Sequence, residues 1–224
     1  MSHYQYNIEC SPDYALLNVH IPENQILKVE ASAMASMDEH ISMKTKMKGG
    51  LTRLLSRESI FINEFTAQGG QGVISIAPGP AGDIKYYSLS DSGPIFLTGS
   101  SYVASTPNVQ IDTKFQGIVK GFFSGESLFL MRCSGSGDLW FNTFGGIFSV
   151  EIEDEYIVDT GHIVAFTEGL DYEVGRIGGY KSLFFSGEGF ICRFKGKGKI
   201  WIQTRNPLGL INWAHGFRVQ QSNS

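Results

Sequence analysis

Residues Gly117–Asn142 read G-I-V-K-G-F-F-S-G-E-S-L-F-L-M-R-C-S-G-S-G-D-L-W-F-N, and residues Gly179–Thr204 read G-Y-K-S-L-F-F-S-G-E-G-F-I-C-R-F-K-G-K-G-K-I-W-I-Q-T. Both stretches share F-F-S-G-E, then an apolar run, a Gly-x-Gly joint and a second apolar run. A fainter copy lies upstream, G-G-L-T-R-L-L-S-R-E-S-I-F-I from Gly49, followed by G-G-Q-G-V-I-S-I. Its Ser56 and Glu58 align with Ser124 and Glu126, and with Ser186 and Glu188. Gly49, Gly117 and Gly179 each stand nine residues before the glutamate of their copy. Self-similarity at this spacing marks one structural unit used three times, with a period of about sixty-five residues.

Working outward, the segments before each copy repeat as well. Ile26–Glu30 before Met34, Ile95–Gly99 before Tyr102, and Tyr156–Gly161 before Ile163 each read as strand, turn and strand. The apolar period is two: Val150 and Ile152 alternate with Glu151 and Glu153, and Phe217 and Val219 with Arg218 and Gln220. Leu128–Met131 and Ile200–Ile202 are apolar on both faces, as strands between two sheets are. The joints Gly69–Gly72, Gly135–Gly137 and Gly196–Gly198 read as hairpins. The predicted fold is all-β: three tandem jelly-roll-like antiparallel β-sandwich repeats, at approximately 4–82, 83–145 and 146–220, packed with pseudo-threefold symmetry. No linker composition separates them, so residues 1–224 are expected to form a single compact body.

Composition agrees with this reading. The 224 residues are 42% hydrophobic and only 18% charged, which excludes disorder, and no apolar run is long enough to span a bilayer. The 27 glycines and 12% aromatic residues suit short strands joined by tight turns. A formal charge of -4 argues against nucleic-acid binding over the whole surface. The N-terminus shows no basic segment followed by an apolar run, so a cytoplasmic location is expected. Cys10, Cys133 and Cys192 are an odd set without a close pair, read as reduced thiols rather than a disulfide framework.

The chain resembles the altered inheritance of mitochondria twenty-four family. The residues that carry the likeness are Glu30-Ala31-Ser32-Ala33-Met34 in place of a Glu-x-Gly-Ala-Met signature, Met47-Lys48-Gly49-Gly50-Leu51, Glu58-Ser59-Ile60-Phe61 and the S-G-E copies. The resemblance covers nearly the whole length. It implies a single chain of three related β domains, similar in fold to the tryptophan RNA-binding attenuator protein, and it carries over no catalytic residues. Ser32 departs from the family's glycine.

Two features hold candidate binding chemistry. The repeat sets Glu58, Glu126 and Glu188 at equivalent positions, either accepting backbone N–H bonds after their turns, Ser-Gly in the second and third copies and Ser56-Arg57 in the first, or forming a carboxylate ring for a cation or a basic segment. Residues 41–57 carry Lys44, Lys46, Lys48, Arg53 and Arg57 without an acid, interleaved with Met43, Met47, Leu51 and Leu54 or Leu55. Such a stretch is a solvated loop, a contact for an anionic membrane or nucleic acid, or a seat for a neighbouring subunit. Lys195, Lys197 and Lys199 form a second basic strip on an edge.

Signals for catalysis are missing. The five histidines are scattered, with no H-x-H or H-x-x-x-H pair, and no nucleophile elbow, Walker or dinucleotide motif occurs. No metal, cofactor or catalytic residue is expected. The sequence points to a non-enzymatic binding or scaffold protein, a homo-oligomer or partner of another protein, at a membrane surface. An RNA-binding protein is the alternative by fold similarity, and an enzyme of unknown chemistry ranks third.

Overall fold

The structure, a computed structural model, describes residues 4–46, 61–112, 130–175 and 190–218. The first six-strand stretch is preceded by β1 (Gln5–Glu9) and holds β2 (Leu16–Ile21), β3 (Ile26–Glu30), β4 (Met34–Met37), β5 (Ile41–Lys46), β6 (Ile62–Ala67) and β7 (Gly72–Ile76). The second holds β8 (Ile84–Ser88), β9 (Ile95–Thr98), β10 (Tyr102–Ser105), β11 (Val109–Asp112), β12 (Leu130–Gly135) and β13 (Asp138–Asn142), with the short helix α1 (Leu89–Ser92) after β8. The third holds β14 (Ile147–Ile152), β15 (Glu155–Asp159), β16 (Ile163–Thr167), β17 (Asp171–Gly175), β18 (Ile191–Lys195) and β19 (Gly198–Gln203). A helix, α2 (Pro207–His215), follows.

The chain is all-β in antiparallel sandwich layers, as its period-two patterning predicts. In β2, Leu17, Val19 and Ile21 are buried while Leu16, Asn18 and His20 are half-buried. The first sheet runs β1-β2-β7-β4, the second β5-β6-β3-β10-β13-β8, the third β11-β12-β9-β16-β19-β14 and the fourth β15-β18-β17. One strand order therefore recurs in each stretch. Its first, sixth and third strands are neighbours (β2-β7-β4, β8-β13-β10, β14-β19-β16), and so are its second, fifth and fourth (β3-β6-β5, β9-β12-β11, β15-β18-β17). The third strand also carries a bulge against the sixth at one place in every stretch: Met34/Ser36, Tyr102/Ala104 and Ile163/Ala165.

Successive stretches share sheets. The second strand of one pairs with the third strand of the next, β3 with β10 and β9 with β16. Three apolar layers fill the spaces between successive sheets. This explains the strands that are apolar on both faces. In β19, Trp201 joins the middle layer, where it meets Tyr87 and Phe141 edge-on, while Ile200 and Ile202 join the last layer. In β13, Trp140 belongs to the first layer and Leu139 and Phe141 to the middle one.

The Gly-x-Gly joints differ from the hairpins expected of them. Gly135–Gly137 carries the chain from β12 in the third sheet to β13 in the second, and Gly196–Gly198 from β18 in the fourth to β19 in the third. These are corners between layers. Gly135 at φ 95 and Gly137 at φ 120 turn the backbone out of its sheet, and a Cβ on Gly137 would run into the Thr106 hydroxyl. Phe217 and Arg218, expected in a strand, follow α2 instead. Asn206 caps that helix by accepting from the Leu208 N–H at 2.9 Å, and Pro207 opens it.

Candidate functional site

Lys44 lies exposed on β5, an outer strand of the second sheet, beside exposed Met43 and opposite Glu64 of β6. Lys46 is the last residue of β5. Lys48, Arg53, Arg57, Glu58, Glu126 and Glu188 lie outside the described residues. In the chain, each of the three glutamates falls between the fourth and fifth strands of its stretch, β5 to β6, β11 to β12 and β17 to β18.

The second basic strip is largely neutralised. Glu155 accepts from Lys195 at 2.8 Å and from Arg193 at 3.4 Å, and these partners hold its carboxyl below the usual range. Lys199 meets Glu151 at 2.6 Å and lies over the Trp201 ring. Glu168 is engaged by the Arg132 guanidinium at 2.7 and 3.0 Å, and the ring Nδ1 of His162 lies 2.8 Å from the Gln203 carbonyl. These histidine and carboxylate groups are thus held in structural bonds.

Buried polar groups are tied down in the same way. Asp138 accepts from the Tyr4 N–H and the Tyr86 hydroxyl, both at 2.9 Å, while its own N–H donates to Thr106 Oγ1. Burial, reinforced by Asp138, pushes the Tyr86 phenol up to about 12. Gln203 accepts from the Phe144 N–H and donates to the Gly161 carbonyl. Burial also pushes the Cys133 and Cys192 thiols up to about 12, which makes them poor nucleophiles at neutral pH.

Two features escaped sequence reasoning. The Glu30 carboxyl, half-buried at the end of β3, is pushed up to about 7 by desolvation. It stands just before Ser32, whose φ of 71 shows why a glycine suits that turn. The second feature is α2. None of its residues is buried, and Leu208, Leu210, Ile211, Trp213 and, just beyond, Phe217 all face solvent, Trp213 at 65% and Phe217 at 72%. Arg205 and Arg218 flank it, both exposed. The signal for this helix was present in Asn206-Pro207, the preferred pair for a cap and first turn. At nine residues it is about 14 Å long, and no helix among the described residues is long and apolar enough to cross a membrane.

Comparison with known proteins adds kinship. The model of a family described as mitochondrial biogenesis AIM24 matches residues 6–205. An uncharacterised protein of Streptococcus pyogenes serotype M6 is 29% identical over 222 residues, covering 90% of this chain and 86% of its own. The crystal structure of a Streptococcus pyogenes protein matches with a TM-score of 0.81 at 24% identity, over 96% of this chain and 100% of that one, a likeness of fold.

Proposed function

The chain belongs to the mitochondrial biogenesis AIM24 family, and from that premise we propose that it acts by binding rather than catalysis, as a β scaffold seated on the cytoplasmic face of an anionic membrane. The observation that carries this reading is α2, a helix whose large apolar side chains all stand in water. Soluble surfaces seldom place Trp, Phe, Ile and two Leu on one exposed helix of about two and a half turns and its end without a partner. A short helix with Trp and Phe lies in the headgroup region, with arginines at both ends meeting lipid phosphates. Its length is about half of the ~30 Å hydrocarbon core, so it rests on the bilayer rather than spanning it. Lys44, with Lys46, Lys48, Arg53 and Arg57, adds positive charge to the proposal. The RNA reading loses support where Lys195 and Lys199 are already paired with Glu155 and Glu151.

Flotation with phosphatidylcholine vesicles, with and without phosphatidylserine, tests it. The protein is expected to float with anionic vesicles, less at high salt. Burying one large apolar side chain contributes about 1.5–3 kcal/mol, so Trp213→Ser with Ile211→Ser should weaken the partition by more than tenfold. Lys44→Glu should weaken it less. No flotation, or flotation indifferent to the α2 changes, refutes the proposal. RNA retained on filters at physiological salt would favour the other class of ligand.

A further inference from the structure

Among the described residues, the joint between successive stretches is made twice and left open at both ends. β3 meets β10 with Val29 opposite Ala104 and Lys28 opposite Ser105. β9 meets β16 with Leu97 opposite Ala165, Phe96 opposite Phe166 and Ile95 opposite Thr167. The strands that would make a third joint are β15, the second strand of the last stretch, and β4, the third strand of the first. Both are outer strands of their sheets.

Three independent features mark these two edges as surfaces awaiting a strand. The first is exposure. Phe96 and Phe166, which face each other across the second joint, are 6% and 0% exposed, whereas their counterparts Ile157 and Met37 are 43% and 38% exposed. All four residues of β10 are buried, and all four of β4 are exposed. The second is charge. Outer strands are commonly guarded by charged residues against unwanted pairing. Here β1, β5, β8, β11, β14 and β17 carry Glu9, Lys44, Lys85, Asp112, Glu151 and Glu173, whereas β4 reads Met-Ala-Ser-Met with no charge, and β15 holds its two acids, Glu155 and Asp159, only at its ends, around Tyr-Ile-Val. The third is register. Val29, Leu97 and Val158 each stand five residues before the start of the bulge in the following strand, and that bulge places Ser36, Ala104 and Ala165 at equivalent points.

We infer that β15 of one molecule pairs antiparallel with β4 of a second copy of this chain, with Val158 opposite Ser36, Ile157 opposite Met37 and Tyr156 opposite Asp38. The partner is a second copy because the missing strand at each edge is the type that the other edge supplies. The contact is head-to-tail, so it propagates until the subunits close a ring or extend as a filament. It merges the three strands of the fourth sheet with the four of the first into one continuous sheet, as the second and third sheets are continuous within the chain. The inference specifies the partner of the scaffold proposed above and rests on its premise that the protein acts by binding. It uses a different surface, so flotation and mass report on the two separately.

The test uses the full chain with Cys10, its exposed thiol, changed to Ser. Oxidising a mixture of Ile157→Cys and Met37→Cys proteins should give a linked pair of twice the 24.7 kDa chain mass. Neither protein alone, nor Ile157→Cys mixed with Ala35→Cys, should link. Light scattering of the unmodified protein should show multiples of the chain mass at micromolar concentration. Met37→Lys or Ile157→Lys should weaken that association at least tenfold while leaving circular dichroism unchanged. An unmodified protein that stays at one chain mass throughout, an assembly indifferent to both lysine changes, or linking at position 35 as readily as at 37 would overturn the inference. Loss of assembly with flotation intact separates this contact from the membrane proposal.

Discussion

Glu30→Gln is the perturbation whose size follows most directly from the structure. The Glu30 carboxyl has an ordinary value near 4.5 and is raised to about 7 at the end of β3, where burial removes much of its water. A folded state that holds this proton more tightly than the unfolded chain is favoured at low pH. The contribution is complete below about pH 4.5 and is lost as pH rises through about 7. At roughly 1.4 kcal/mol per unit of displacement, the loss reaches about 3 kcal/mol, a ceiling because the residue retains some contact with solvent. Glutamine keeps the shape and removes the charge. Urea unfolding at pH 4, 5.5, 7 and 8 should therefore show the variant gaining on the unmodified protein as pH rises. The two should converge near pH 4 and differ by about 2–3 kcal/mol at pH 8. A constant difference at all four pH values, or a variant that loses ground at pH 8, would falsify the desolvation argument.

Four further outcomes follow from the packing. Asp138→Asn removes the charged acceptor shared by the Tyr4 N–H and Tyr86 hydroxyl, and should cost about 2–3 kcal/mol in chemical unfolding. Gly82→Ala places a Cβ against the Thr143 and Gly145 carbonyls where the first stretch passes into the second, and should lower the thermal midpoint by several degrees. Ser32→Gly relieves a left-handed φ of 71 and should raise stability by about 1 kcal/mol. In the native protein a disulfide reagent should titrate one thiol, the exposed Cys10, and all three only after denaturation, because Cys133 and Cys192 are buried with raised pKa values.

Much of the fold was legible because β-sandwich physics writes itself in short range. Alternation of buried and half-buried residues along β2 and β3 comes straight from the pleat, and the Ser-x-Glu copies mark the same link in each stretch. The order of strands was not legible. Gly135-Ser136-Gly137 has the same composition whether the strands beside it pair or pass to opposite layers; sheet membership decides, and it is set by distant partners such as β8 and β9. Phe217 and Arg218 showed a period of two only over a few residues, too few to outweigh the Asn206-Pro207 start signal upstream. Glu30 could be placed in a motif but not given a shifted pKa, because its desolvation depends on tertiary neighbours. The three glutamates and most of the basic stretch lie outside the described residues. The candidate surfaces rest instead on α2, β4 and β15.

The open joint is tested most directly by amide hydrogen exchange followed over a range of protein concentration. The account predicts that the β4 amides Met34–Met37 and the β15 amides Glu155–Asp159 exchange slowly when the protein is concentrated, as those of β10 and β16 do, and quicken together on dilution. Rapid exchange of both strands at every concentration, with no difference from the charged outer strands β11 and β17, would contradict it.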